Sequence, residues 1–216
     1  MTRIALIHAL AHSPGPINAA LARDWPEAER MNLLDDSLSA DLARSGRLDA
    51  RMTQRFIALA DYAVGTGAEG LLFTCSAFGP CIEAVAKRHA DIPVLKPNEA
   101  MVDEAVAAGG VIGLLATFGP TLQSMPAEFP PGTPLRTALA EGAMDALNRG
   151  DVATHDRLAA DAAQRLRDQG CTVIALAQFS LAQARDAVLA ATGLPVFTTP
   201  DSAVRRLKQR LAQAPV

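Results

Sequence analysis

Residues 67–85 read "GAEGLLFTCSAFGPCIEAV", and residues 170–188 read "GCTVIALAQFSLAQARDAV". Laid one over the other, a shift of 103 positions that takes Gly67 to Gly170, both open on a glycine. Both then run through a short apolar stretch, break at small or polar residues, and continue with helical spacing. Glu83-Ala84-Val85 lies over Asp186-Ala187-Val188. With one residue dropped, "IPVLKPNEAMV" (92–102) lies over "LPVFTTPDSAV" (194–204), and "RIALIHAL" (3–10) finds its counterpart in "VIGLLATF" (111–118). Self-similarity over a long period means that one supersecondary unit has been used twice. The chain therefore reads as two homologous halves.

The class of each half follows from its apolar runs. "RIALIHAL", "GLLFTCS", "GVIGLLAT" and "TVIALAQ" are short and almost continuously hydrophobic, as strands buried on both faces must be. Between them lie stretches of helical periodicity such as "DARMTQRFIALADYAVGTG" and "HDRLAADAAQRLRDQG". Strands alternating with helices predict an α/β protein of two pseudo-symmetric halves, each a short parallel sheet flanked by helices. "AAGG" at 107–110 marks the joint, giving a first half of 1–108 and a second of 109–199, with the last helix, 200–216, folding back onto the first half. Parallel sheets bind ligands beyond the carboxyl ends of their strands. Two halves facing one another would place an active site in the cleft between them.

The 216 residues carry a formal charge of −3 and only 4% aromatics, which gives no reason to expect nucleic acid or an anionic membrane as partner. No apolar run approaches the roughly 18 to 20 residues of a membrane span. "RIALIHALAHSPGP" is too quickly broken by Pro14 and Pro16 to read as a secretion signal, so a cytoplasmic location is expected. Three cysteines without a C-x-x-C pair indicate neither a disulfide framework nor a structural zinc site.

Cys75 ends one of the predicted strands, and "SAFGPCIEAVAKRH" after it turns into a helix. A helix N-terminus offers unpaired N–H groups to a thiolate and is expected to lower the thiol pKa. The competing reading is that an unpaired cysteine fills space in a core. The 103-residue shift puts Gln178 where a second cysteine would stand, a thiol on one wall and an amide on the other. Cys81, inside a helix, and Cys171, before a strand, read as packing residues. His8 interrupts an apolar strand at its carboxyl end, as a core histidine or a group facing the site. His12, His89 and His155 read as surface or loop residues. Asp35 and Asp36 end a further strand, one capping a turn and the other, Asp36, free to face a ligand. "GTGAEG" at 65–70 matches G-x-G-x-x-G but precedes its strand, so it cradles no phosphate; Gly65 and Gly67 instead end a helix. No His/Asp/Glu spacing suggests a catalytic metal.

In "TCSAFG", "GLLAT" and "TVIALAQFS", with "RIALIHAL" and "LLDDSLS" at the start, the chain resembles the aspartate/glutamate/hydantoin racemase superfamily over nearly its whole length. The resemblance implies a duplicated α/β fold, a homo-oligomer such as a dimer, no cofactor, and proton exchange at a carbon next to a carboxylate or carbonyl by two opposed cysteines. This chain departs from the pattern: only the first motif keeps its cysteine, and an amide cannot carry a proton near neutral pH. The expected site is then Cys75 as acid, base or nucleophile, with Gln178 and His8 as catalytic partners. Donors for a small carboxylate substrate would come from Ser76, Ala77, Thr117 and Ser180, with Asp36 beside them; Thr121 and Ser124 read as candidate capping residues. The expected activity is isomerase or racemase chemistry. A decarboxylase, which needs one proton donor, and a carboxylate-binding protein without catalysis stand as alternatives.

Overall fold

The computed structural model describes residues 1–213, so the end of the helix expected over 200–216 lies outside the described residues. The chain divides into two compact units, Met1–Pro97 with the described residues from Ala203 onward, and Asn98–Ser202. Among the described residues no helix is long and apolar enough to cross a membrane.

The first unit runs β1 (Arg3–His8), α1 (Pro14–Asp24), β2 (Glu29–Leu34), α2 (Ser37–Ser45), α3 (Ala50–Gly65), β3 (Gly70–Phe73), α4 (Gly79–Arg88) and β4 (Val94–Leu95). Its four strands are parallel in the order β2-β1-β3-β4. The second runs α5 (Glu99–Ala108), β5 (Ile112–Ala116), α6 (Gly119–Ser124), β6 (Leu135–Leu139), α7 (Ala143–Asn148), α8 (Val152–Asp168), β7 (Val173–Leu176), α9 (Arg185–Thr192) and β8 (Val196–Thr198), and α10 (Thr199–Gln213) starts in it and continues in the first unit from Ala203. Its sheet is also parallel, in the equivalent order β6-β5-β7-β8. The fold is thus α/β with two pseudo-symmetric halves.

The two sheets repeat residue for residue. Ile4 sits opposite Gly70 and Ile7 opposite Phe73; in the second unit Ile112 sits opposite Val173 and Leu115 opposite Leu176. Just past each third strand, the Thr74 N–H donates to the Ile7 carbonyl (3.1 Å) and the Ala177 N–H to the Leu115 carbonyl (2.9 Å). Helix entries repeat too: the Asp49 carboxylate accepts from the Met52 N–H ahead of α3, and Asp151 accepts from Thr154 ahead of α8. Gly67 and Gly170, which turn the chain from these helices into the third strands, share a left-handed φ of 89° and 86°. The central strands β3, β5 and β7 are buried throughout, which is why each reads as an unbroken apolar run. Edge strands β2 and β6 alternate or expose residues and carry no such run.

The first half ends at Pro97, not at 108. Helix α5 directs Met101, Val102 and Ala105 into the core that covers β5 and β7, so it belongs with the second unit although it follows β4 in sequence. Conversely Leu207 and Leu211 of α10 lie over Gly70 of β3. Beneath the carboxyl end of the first sheet, Phe56 stacks on Phe73 (5.4 Å between ring centroids) and packs on Phe78 (4.8 Å). The repeat places Ala159, Leu176 and Leu181 at the equivalent positions, so the aromatic cluster exists in the first half alone.

Candidate active site

Cys75 lies two residues past the end of β3, in extended backbone (φ −133°, ψ 118°), and opens a 3₁₀ turn, Ser76–Phe78, that leads into α4. It is half-buried against the aromatic core, whereas Cys81 and Cys171 are wholly or almost wholly covered. A recess too narrow to hold a water molecule lies beside the thiol and is lined by Ile7, His8, Ala9, Leu38, Phe56 and Phe73. Burial in this surrounding pushes the Cys75 thiol above its ordinary value, outweighing the Ala77 N–H and the Ser39 hydroxyl that favour the thiolate. The expected lowering by the helix N-terminus is therefore corrected: a 3₁₀ turn stands between the sulfur and α4, one N–H reaches it, and the phenyl rings exclude the water a thiolate needs. The Ser39 hydroxyl donates to the Ala9 carbonyl (2.9 Å). Having one proton, Ser39 can support a thiolate only by turning away from Ala9. The resting group is S–H.

His8, the last residue of β1, is fully buried. Its Nδ1 lies 2.9 Å from the Thr74 hydroxyl and its Nε2 3.0 Å from Oδ1 of Asn32. Burial lowers its pKa more than the Asn32 contact raises it, so the ring is neutral near neutral pH. Of the two aspartates after β2, Asp35 is the capping residue: its carboxylate accepts from the Ser37 N–H (3.2 Å) and hydroxyl (2.5 Å) and pairs with Arg55 of α3 (2.6 Å). Asp36 is exposed and makes no side-chain cap bond at the start of α2. Ser76 and Ala77 are exposed in the turn after Cys75. The first unit thus gathers His8, Asp36, Cys75, Ser76 and Ala77 at the carboxyl ends of β1, β2 and β3.

In the second unit Gln178 takes the extended backbone that Cys75 has in the first. Its Oε1 accepts from both the N–H (2.6 Å) and the hydroxyl (3.0 Å) of Thr117, just past β5. Thr117 is buried, and Ser180 is half-buried in the 3₁₀ segment Phe179–Ala184. The Ser124 hydroxyl donates to the carbonyls of Pro120 (3.3 Å) and Thr121 (3.4 Å) within its own helix. His155 corrects the surface reading. It is fully buried on α8, on the stripe shared with Ala159, Ala162 and Leu166, with Nδ1 2.7 Å from Asp156 and 3.2 Å from the Gln183 amide. His89 pairs with Asp61 (2.8 Å), and His12 is exposed. Among the described residues no group of three or more His, Cys, Asp or Glu is arranged to hold a metal ion.

A family model described as Asp/Glu/Hydantoin racemase matches residues 16–207. The chain belongs to the Asp/Glu/hydantoin racemase family. Solved structures show the same fold: a glutamate racemase, isoform RacE1, from Bacillus anthracis matches at 13% identity and TM-score 0.71, over 98% of this chain and 82% of that one. An allantoin racemase from Klebsiella pneumoniae matches at 16% identity and TM-score 0.71, over 98% and 88%. A mutant of arylmalonate decarboxylase in a sulfate-associated form matches at 18% identity and TM-score 0.67, over 99% and 94%. No curated protein matches the chain.

Around this racemase-family thiol stand residues that motif reading passed over. Ser39 and Asn32 lie far from Cys75 in sequence and belong to no apolar run. Thr74 lies within the motif, yet its bond to His8 spans 66 positions. The repeat carries the signal for two of them: His8 and Thr74 stand where the second half has Ala116 and Ala177. A polar pair replacing two core alanines marks a built contact.

Proposed function

We propose that this racemase-family chain is a cofactor-independent enzyme of the isomerase/racemase type that moves a proton at the carbon next to a carboxylate or related carbonyl, using the single thiol of Cys75. The observation that carries this reading is the setting of Cys75: the one partly exposed cysteine, at the carboxyl end of a central strand, beside a recess and near donors. In the thiolate form Cys75 takes the carbon-bound proton, and the electron pair moves onto the carboxylate as an enediolate. Returning the proton to carbon restores the thiolate. Within the same unit Ser76 and Ala77 supply donors to the small carboxylate; at the twin position of the second unit the donors are Ser180 and the Nε2–H of Gln178, whose Oε1 is occupied by Thr117.

A second reading is favoured by the raised thiol pKa. A resting S–H is a donor, and a decarboxylase needs one: the carbon–carbon bond to a carboxylate breaks, carbon dioxide leaves, and the enediolate takes its proton from Cys75, which regains one from water. Incubating the protein in deuterated water with amino acids, hydantoins, maleate and substituted malonates, followed by NMR, separates the readings. Deuterium entering an otherwise unchanged carbon supports the isomerase, and loss of carbon dioxide supports the decarboxylase. In either case Cys75→Ala is expected to lose at least about 100-fold in rate. Binding of these compounds with no Cys75-dependent chemistry overturns both in favour of a binding protein.

A further inference from the structure

Both halves tie the turn after the third strand back to the end of the first strand, but they tie it at different residues. In the second half the tie is the side chain at the twin position itself: Thr117 holds Gln178. In the first half it falls one residue earlier, between His8 and Thr74, and the side chain that follows, Cys75, is left out of it. The equivalent pair in the second half, Ala116 and Ala177, is buried and apolar.

The hydrogen-bond pattern fixes which nitrogen of His8 carries the proton. The Asn18 Nδ2 lies 2.7 Å from the Pro14 carbonyl, which can only accept, so the orientation of that amide is settled. The same Nδ2 lies 2.8 Å from Asn32 Oδ1, and Asn32 Nδ2 returns a bond to Asn18 Oδ1 at 3.3 Å. Turning Asn32 over would set NH₂ against NH₂ and oxygen against oxygen. Asn32 therefore presents oxygen to His8, and Nε2 is the donor. In the neutral ring Nδ1 is then an acceptor, and the Thr74 hydroxyl gives it the proton, since its other acceptor, the Ile7 carbonyl, is farther at 3.4 Å. Neither ring nitrogen is left to take a proton from a substrate, and the two amides beyond the ring, Asn32 and Asn18, cannot relay one.

From this we infer that His8 is a positioning residue and not a base: as the Nε2–H tautomer, oriented by Asn18 and Asn32, it holds Thr74 and thereby sets the thiol of Cys75 in its recess. This rests on the reading of Cys75 as the working thiol, but its tests use no substrate. Nitrogen-15 NMR of the histidine-labelled protein at neutral pH reads the tautomer directly. A protonated Nε2 with a bare, accepting Nδ1 is expected for His8; a protonated Nδ1 or a cationic ring overturns the inference. Two variants then separate the ring's contacts. His8→Asn keeps an acceptor where Nδ1 stands and loses the donor to Asn32; His8→Gln keeps that donor and loses the acceptor for Thr74.

Alkylation of Cys75 by iodoacetamide, with Cys75→Ala as background because Cys81 and Cys171 are covered, is the readout. His8→Asn should alkylate within about twofold of the unmodified protein. His8→Gln should alkylate at least about fivefold faster, its pH profile moved toward the ordinary thiol range. Equal profiles for the two folded variants overturn the inference, whereas a merely structural histidine would lower the melting temperature of both and leave both profiles in place. If the tautomer and the alkylation behave as expected but no substrate turns over, the enzymatic reading falls and the positioning of the thiol stands.

Discussion

At the scale of single residues, the contrast between Cys75 and Gln178 shows what a sequence motif does and does not carry. Their equivalence was legible, because a fixed shift of 103 positions needs only pattern. The state of the thiol was not, because Phe56 lies outside the motif and nothing local announces that its ring will close over Cys75. Gln178 gives a test of the same kind. Its Oε1 satisfies two donors of Thr117 while its Nε2 is proposed to meet the substrate. Gln178→Glu keeps the oxygen for Thr117 and replaces the donor by a negative charge. It should melt within a few degrees of the unmodified protein yet lose most carboxylate turnover through a raised KM. Gln178→Ala leaves the Thr117 N–H and hydroxyl without their partner, and a stability loss of about 1–3 kcal/mol is expected. Denaturant unfolding of the two variants checks this, and equal losses would show that the Thr117 contact does not matter.

At the scale of elements, what the sequence revealed follows burial. Strands covered on both faces leave a continuous apolar run, so β1, β3, β5 and β7 could be read directly. Strand β6, "LRTAL", lies at a sheet edge with two of its five residues exposed and none buried, and it left no such signature. Ion pairs across elements are also silent in sequence. Arg55 of α3 bonds Asp35 after β2 and Asp41 of α2, holding three segments at the carboxyl end of the first sheet. Burial alone would raise the Asp35 carboxyl, but Ser37 and Arg55 together bring it below its ordinary value. A carboxyl lowered on folding contributes stability above its unfolded pKa of about 3.9, and that contribution is lost as pH falls through the lower folded value. Arg55→Gln should therefore destabilise the protein near neutral pH, with the difference from the unmodified protein shrinking below about pH 4. Thermal melts across that range decide it; a difference independent of pH would assign the loss to the packing of the Arg55 stem.

For the whole molecule, the duplication was legible throughout, and the division of the chain was misread at one helix. "EAMVDEAVAA" follows β4 and reads as part of the first half, but its apolar face is buried in the second, and only three-dimensional packing shows which sheet a helix covers. The functional consequence of the duplication lies in its asymmetry. A pair of thiols takes a proton from one face of a carbon and returns one to the other, whereas a lone thiol returns the proton to the face it came from. With His8 committed at both nitrogens, the described residues lining the recess beside Cys75 offer no second base. For a chiral substrate in deuterated water, exchange is expected to outpace inversion by at least about tenfold, and Cys75→Ala to abolish exchange. Gln178→Cys supplies a thiol at the twin position and should convert part of the exchange into inversion. That change also removes the acceptor for Thr117, so the variant must first be shown to remain folded at the assay temperature. Equal rates of exchange and inversion in the unmodified protein would overturn the one-thiol mechanism, because only a second proton carrier on the opposite face can make them equal.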